Sequence, residues 1–88
     1  MSRKIYIIET MTKSIDGSTF TALEEAFTSR QKALASIEWR RDYTKRREAD
    51  GNMKLIEWDQ KEDEALVSYP NNEHYEWKHY TIRTMELS

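Results

Sequence analysis

Trp39 and Tyr43 stand four residues apart in a stretch crowded with cations: Arg40, Arg41, Lys45, Arg46 and Arg47. Four residues are just over one helical turn, so on a helix the indole and the phenol share a side. Aromatic rings interleaved with guanidinium and ammonium groups suit two jobs. They can anchor a protein interface, where Trp, Tyr and Arg are the types enriched among the energetic anchors. They can also stack on bases and pair with phosphates, as binders of single-stranded nucleic acid do. A third group is acidic, with Asp59, Glu62, Asp63 and Glu64 in a polar run. Such a cluster could dock on a basic site of a partner, including one that normally holds nucleic acid.

The patterns of covalent and metal chemistry are absent from the sequence. No cysteine occurs, which removes thiolate nucleophiles, thiolate metal sites and disulfides together. His74 and His79 are the two histidines, and on a strand their odd spacing sends them to opposite faces. With Glu73 and Glu76 they make a thin ligand set. Glu24 and Glu25 are adjacent, so strict strand alternation points them apart and they cannot share a proton. Two isolated glycines cannot build a phosphate-binding loop or a dinucleotide fingerprint, and no G-x-S-x-G occurs. The expectation is a non-enzymatic protein without metal or cofactor.

Eighty-eight residues make one domain, with a net charge of −2 and ten aromatic residues that argue for a folded core. The charge is unevenly placed. Between Arg30 and Arg47 there are seven Lys and Arg against two acids, and between Glu48 and Glu76 nine acids against two lysines. The apolar run after Lys4 ends after four residues, Ile5 to Ile8, too short for a signal peptide or a membrane span. With no cysteine, this favours the cytoplasm, or the host cytoplasm for a phage-encoded chain, and no membrane partner.

The elements that would position these residues follow from pattern. Lys4 to Met11 is β-branched and apolar on both faces, as a central strand is. Asp16-Gly17 marks a hairpin turn, and Thr19 to Phe27 supplies its second strand, with Leu23 and Phe27 on one face and Phe20, Ala22 and Ala26 on the other. Thr28 or Ser29 caps a helix, Thr28 with Gln31 forming a capping-box pattern, and the helix runs to about Ala49 before Asp50-Gly51-Asn52. Ala33, Leu34, Ile37 and the stems of Arg41 and Thr44 form its core stripe. At about 100° per residue, Trp39 and Tyr43 fall on the far side, beside Lys32, Ala35 and Arg46. Strands are predicted over Met53 to Trp58, Ala65 to Tyr69 and His74 to Leu87. The last is one long strand or two short ones: Tyr75 and Trp77 share one face and Tyr80 and Ile82 the other, which a bulge or a bend near Lys78 would reconcile. The fold class is α+β, ββαβββ, an antiparallel sheet of about five strands with one helix across one face.

The segment Phe27-Thr28-Ser29-Arg30-Gln31-Lys32-Ala33, after a Lys4-Ile5-Tyr6-Ile7-Ile8 strand, resembles small phage and bacterial proteins of unknown function in which a hairpin ends in F-x-S and enters a helix through x-x-x-A. The resemblance covers the first half of the chain and implies a phage or mobile-element accessory protein, with no catalytic residue to carry over. Two functions are therefore expected of the sequence. The first is modulation or inhibition of a host protein by steric contact, anchored by Trp39 and Tyr43 with Arg46 and Lys32 at the rim, and with Asp59, Glu62, Asp63 and Glu64 as a second docking surface. The alternative is a nucleic-acid-binding module using Arg40, Arg41, Lys45, Arg46 and Arg47. The aromatic pair could equally be covered by the later strands or by a homodimer.

Overall fold

The computed structural model describes residues 3–56 and 62–87. Strand β1 (Arg3–Ser14) and strand β2 (Thr19–Phe27) form a hairpin, followed by helix α1 (Arg30–Arg47) and a 3-10 turn (Glu48–Asp50). Strands β3 (Lys54–Leu55), β4 (Glu64–Ser68) and β5 (Tyr75–Leu87) complete the chain. The strands make one sheet in the order β2-β1-β5-β4-β3, antiparallel throughout. The first and last strands therefore lie side by side at its centre, and β2 is a long edge. This is the α+β, ββαβββ architecture expected from the pattern.

The hairpin turn is built by Asp16 and Gly17. Gly17 takes a φ of +92°, which a side chain would strain. Its N–H donates to the Ser14 carbonyl at 3.0 Å, and the Ser14 N–H donates to the Ser18 carbonyl at 2.9 Å. The Asp16 carboxylate accepts from the Ser18 hydroxyl at 2.6 Å and the Ser18 N–H at 2.9 Å. These bonds favour its ionised form and hold its carboxyl below the usual aspartate range.

Beyond the turn the two strands lose step. Glu9 lies opposite Leu23 but Ile8 lies opposite Glu25, so Glu24 is an extra residue in β2. This bulge changes the alternation. Phe20 and Ala22 face the helix along with Phe27, while Leu23 and Ala26 share the other face, contrary to the pairing of Leu23 with Phe27 expected from strict alternation. A second irregularity falls between Trp77 and Tyr75, opposite Lys13 and Ser14. The slip sits at Glu76 rather than near Lys78, and it puts Tyr75 and Trp77 on opposite faces.

Ser29 is the N-cap of α1, its hydroxyl accepting from the Lys32 N–H at 3.5 Å. The cap is thus Ser29 with Lys32, not Thr28 with Gln31. The α-helix ends at Arg47, the 3-10 turn carries the chain to Asp50, and Gly51 at φ +76° turns it away. Ala33, Ile37 and Thr44 are the buried residues of α1, and Ile8, Ala33, Ile37 and Ala65 form the core, flanked by Tyr6, Phe27, Tyr80 and Ile82. Burying an isoleucine such as Ile8 or Ile37 fully contributes about 1.5–3 kcal/mol. Leu34 and Arg41 are half-buried beside this stripe.

Strand β3 is shorter than the Met53–Trp58 expected. It pairs with β4 through Lys54 and Leu55, and the Ile56 N–H adds one bond to the Leu66 carbonyl at 3.0 Å. Trp58 and Asp59 lie outside the described residues.

Candidate protein-docking site

Because α1 starts beside Phe27 and its buried stripe leans toward β1, β4 and the middle of the sheet, one flank of the helix overlooks β2. Trp39 and Tyr43 occupy that flank. Their rings stack at 5.2 Å between centroids with 18° between planes. Trp39 is 56 % exposed, and Tyr43 is half-buried. The Arg47 guanidinium lies 5.2 Å from the Tyr43 centroid, closing the stack from below. The flank and β2 bound a groove. Phe27, Ala35 and Trp39 give its upper part an apolar lining with Lys32 at the mouth. Its lower part, about 350 Å³, reaches Met53, Val67 and Tyr80.

The opposite wall is acidic, for a reason that strand alternation hides. The bulge turns both Glu24 and Glu25 toward the helix. Glu24 accepts from the Thr10 hydroxyl at 3.2 Å, on the helix-facing side of β1. Glu25 accepts from the Ser36 hydroxyl at 3.2 Å and pairs with Arg40 at 3.2 Å. Arg40 also donates to the Ser36 hydroxyl at 3.0 Å and lies 5.0 Å from the centre of the Tyr80 ring. Arg40, Ser36 and Glu25 thus strap helix to edge strand across the middle of the groove. With Glu25 partly exposed, the ion pair itself contributes at most about 1 kcal/mol. Its main effect is to fix the walls beside the exposed indole. The carboxylates were expected to point apart, and nothing in the residue types announces the bulge that brings them together.

The remaining predicted residues divide among several places. Lys32 joins Trp39 at the groove, whereas Arg46 is exposed and outside the groove lining. Arg41 sends its guanidinium to the Glu64 carbonyl, with Nε at 2.9 Å. Arg47 pairs with Asp50 at 3.5 Å as well as covering Tyr43. Lys45 is exposed on the helix. Of the five cations proposed to contact nucleic acid, Arg40, Arg41 and Arg47 are therefore engaged within the fold, Arg40 and Arg41 on different flanks of α1. The acidic set separates too. Glu62 pairs with Arg30 near the helix start at 3.8 Å, and Asp63 is half-buried in the turn. Glu64 stands in β4 opposite Thr81, on the sheet face away from the helix, where its carboxylate meets His79 Nε2 at 3.2 Å. These acids do not form one surface with Trp39 and Tyr43.

Among the described residues no group of three or more His, Cys, Asp or Glu side chains converges as metal ligands would, and no helix is long and apolar enough to cross a membrane. No protein-family model, no curated protein and no solved structure matches the chain.

Proposed function

We propose that this protein is a non-enzymatic binding factor that acts by steric contact with another protein. The reading rests on one observation: a Trp39 indole held solvent-exposed at the rim of a partly apolar groove, stacked on a half-buried Tyr43. An exposed indole is costly to leave in water, and Trp is among the residue types enriched as interface anchors. Here it is pre-organised. The Tyr43 ring supports one side, and the Arg40–Ser36–Glu25 strap fixes the helix against the strand, so little ordering entropy is lost on binding. Lys32 supplies a cation at the groove mouth. Following the resemblance of the strand-to-helix segment, the partner is a host protein that a phage-type accessory factor modulates or inhibits.

The nucleic-acid reading draws less support, since Arg40 and Arg41 serve the fold and the groove wall facing the aromatics carries Glu24 and Glu25. Phosphates would meet those carboxylates.

Affinity capture from host lysate, with the wild type beside a Trp39→Ala/Tyr43→Ala variant, tests the proposal. A captured protein should bind the purified wild type directly, and the double variant at least about 30-fold more weakly, the loss expected of an anchor worth ~2 kcal/mol. A folded double variant that keeps every partner would sink the assigned surface. A parallel gel-shift titration at two salt concentrations is expected to give no salt-sensitive complex with single- or double-stranded nucleic acid.

A further inference from the structure

Strand β2 is the long edge of the sheet, and its first five residues, Thr19-Phe20-Thr21-Ala22-Leu23, carry no charge. Edges of this kind are ordinarily protected by lysine, proline, a bulge or a covering segment. In β2 the bulge and both acids begin at Glu24, so protection covers only the second half. Leu23, at 62 %, is the most exposed large hydrophobic side chain among the described residues, and Phe20 is 49 % exposed. The two lie on opposite faces of the sheet. A ligand seated on either face would cover one of them, whereas a strand added at the edge flanks both.

The hairpin fixes which backbone groups are free. Ser14 and Ser18 are joined by the N–H to carbonyl bond next to the turn. Antiparallel pairing alternates from there, so the pairs Thr12 with Phe20 and Thr10 with Ala22 exchange hydrogen bonds within the sheet. Thr19, Thr21 and Leu23 consequently aim N–H and C=O outward. We infer that a second copy of this chain occupies this edge, its β2 running antiparallel about a two-fold axis through Thr21. Thr21 then exchanges bonds with Thr21 of the second copy, and Thr19 with its Leu23. About six bonds form across the axis.

The side chains select this register. Phe20 comes to lie opposite Ala22 on the helix side, and Leu23 opposite Thr19 on the other, so each large group meets a small one twice over. Glu24 lies opposite Ser18, whose hydroxyl holds the Asp16 carboxylate, so the paired stretch ends at either side where two acids come near each other. Sliding the second strand by two residues one way puts Glu24 opposite Phe20 and drives Glu25 into the paired stretch. Sliding it the other way sets the two Phe20 rings against each other and leaves Leu23 facing Gly17 in the turn. Self-complementarity of this sort is the signature of an isologous interface. It singles out a copy of the same strand over an unrelated one. The paired stretch is only about 17 Å long, shorter than a standard interface provides, so the dimer is expected to dissociate on dilution.

Thr21→Pro separates the dimer from the fold. It deletes an outward N–H and leaves the ladder to β1 untouched, the one setting in which an edge strand accepts proline. Leu23→Lys places a charge in the interface by a different route. Sedimentation velocity from roughly 10 µM to 1 mM is expected to show the wild type doubling in mass as it is concentrated. Both variants should stay monomeric, with unchanged far-UV circular dichroism. Amide exchange should slow at Thr19, Thr21 and Leu23 on concentration, with Phe20 and Ala22 unaffected. The Trp39→Ala/Tyr43→Ala variant should dimerise normally, so this inference and the docking proposal fail separately. A wild type that is monomeric throughout, or a dimer that survives either folded variant, overturns the β2 pairing.

Discussion

Arg41 lies in the basic stretch but acts on the backbone. Its guanidinium covers the Glu64 carbonyl where β4 begins, joining helix to sheet across 23 positions of sequence. Replacing it with alanine leaves that half-buried region short of a charged donor, and a loss of about 1–3 kcal/mol is expected in urea unfolding. Surface arginines that only approach a nucleic acid would show almost none. Tyr69 gives a second test. Burial, with Tyr80 beside it, pushes its phenol well above the ordinary tyrosine value of 10.0. The folded state thus prefers the neutral phenol, while the unfolded chain ionises near 10. The contribution is complete below that pH and is lost as pH rises through and beyond it. Between about pH 9 and pH 11 the wild type should lose more melting temperature than Tyr69→Phe does. Equal losses would place the phenol in solvent. At this scale the sequence was a partial guide. The spacing of Trp39 and Tyr43 puts both rings on one side of the helix, since helical geometry is local, but that side is the flank over β2, with Tyr43 half-buried, and not the far side expected. The partners of Arg40, Arg41 and Glu64 depend on contacts across the sheet, and no local pattern encodes those.

The elements were the most legible level, and the reversed faces in β2 and β5 share one cause. Strand β2 reads as alternating residues, yet a single extra residue at Glu24 reverses which side chains meet the helix. The slip at Glu76 does the same to Tyr75 and Trp77. A bulge is a matter of pairing between two strands, so composition within one strand does not reveal it. Turns, set by neighbours in sequence, followed their residue types closely, while the cap fell on Ser29 without the Thr28–Gln31 box. Gly51 holds a φ of +76°, and Gly51→Ala is expected to lower stability by at least about 1 kcal/mol in thermal melts. The Ser29 cap bond is long, at 3.5 Å, so Ser29→Ala should fall near the low end for caps, about 0.5 kcal/mol. A Ser29→Ala variant as stable as the wild type would count against Ser29 as the helix start.

Across the whole molecule, β1 and β5 pair over twelve positions in the middle of the sheet, from Arg3 with Leu87 to Ser14 with Tyr75. Composition and pattern supplied the class and the strand count. They did not place the last strand between β1 and β4, because order within a sheet is set by which faces and edges fit, not by succession. Amide exchange should be slowest in this central pair and faster in β2 and β3, apart from the amides that pairing at the β2 edge protects. Ile37→Ala, which opens the fully buried centre of the helix face, is expected to lose about 2–5 kcal/mol and to raise exchange everywhere together, as a single cooperative unit would. The arrangement also has a consequence for synthesis. A ribosome delivers β1 first and β5 only after the 60 residues that lie between Ser14 and Tyr75. Until then the hairpin waits as a ribbon with both margins bare, and its best-knit partner is the segment made last. At translation rates of about 5–20 residues per second that interval lasts several seconds. Nascent chains meeting one another on a crowded message would be most vulnerable to mispairing during that window, and a stall introduced before Tyr75 should raise the aggregated fraction.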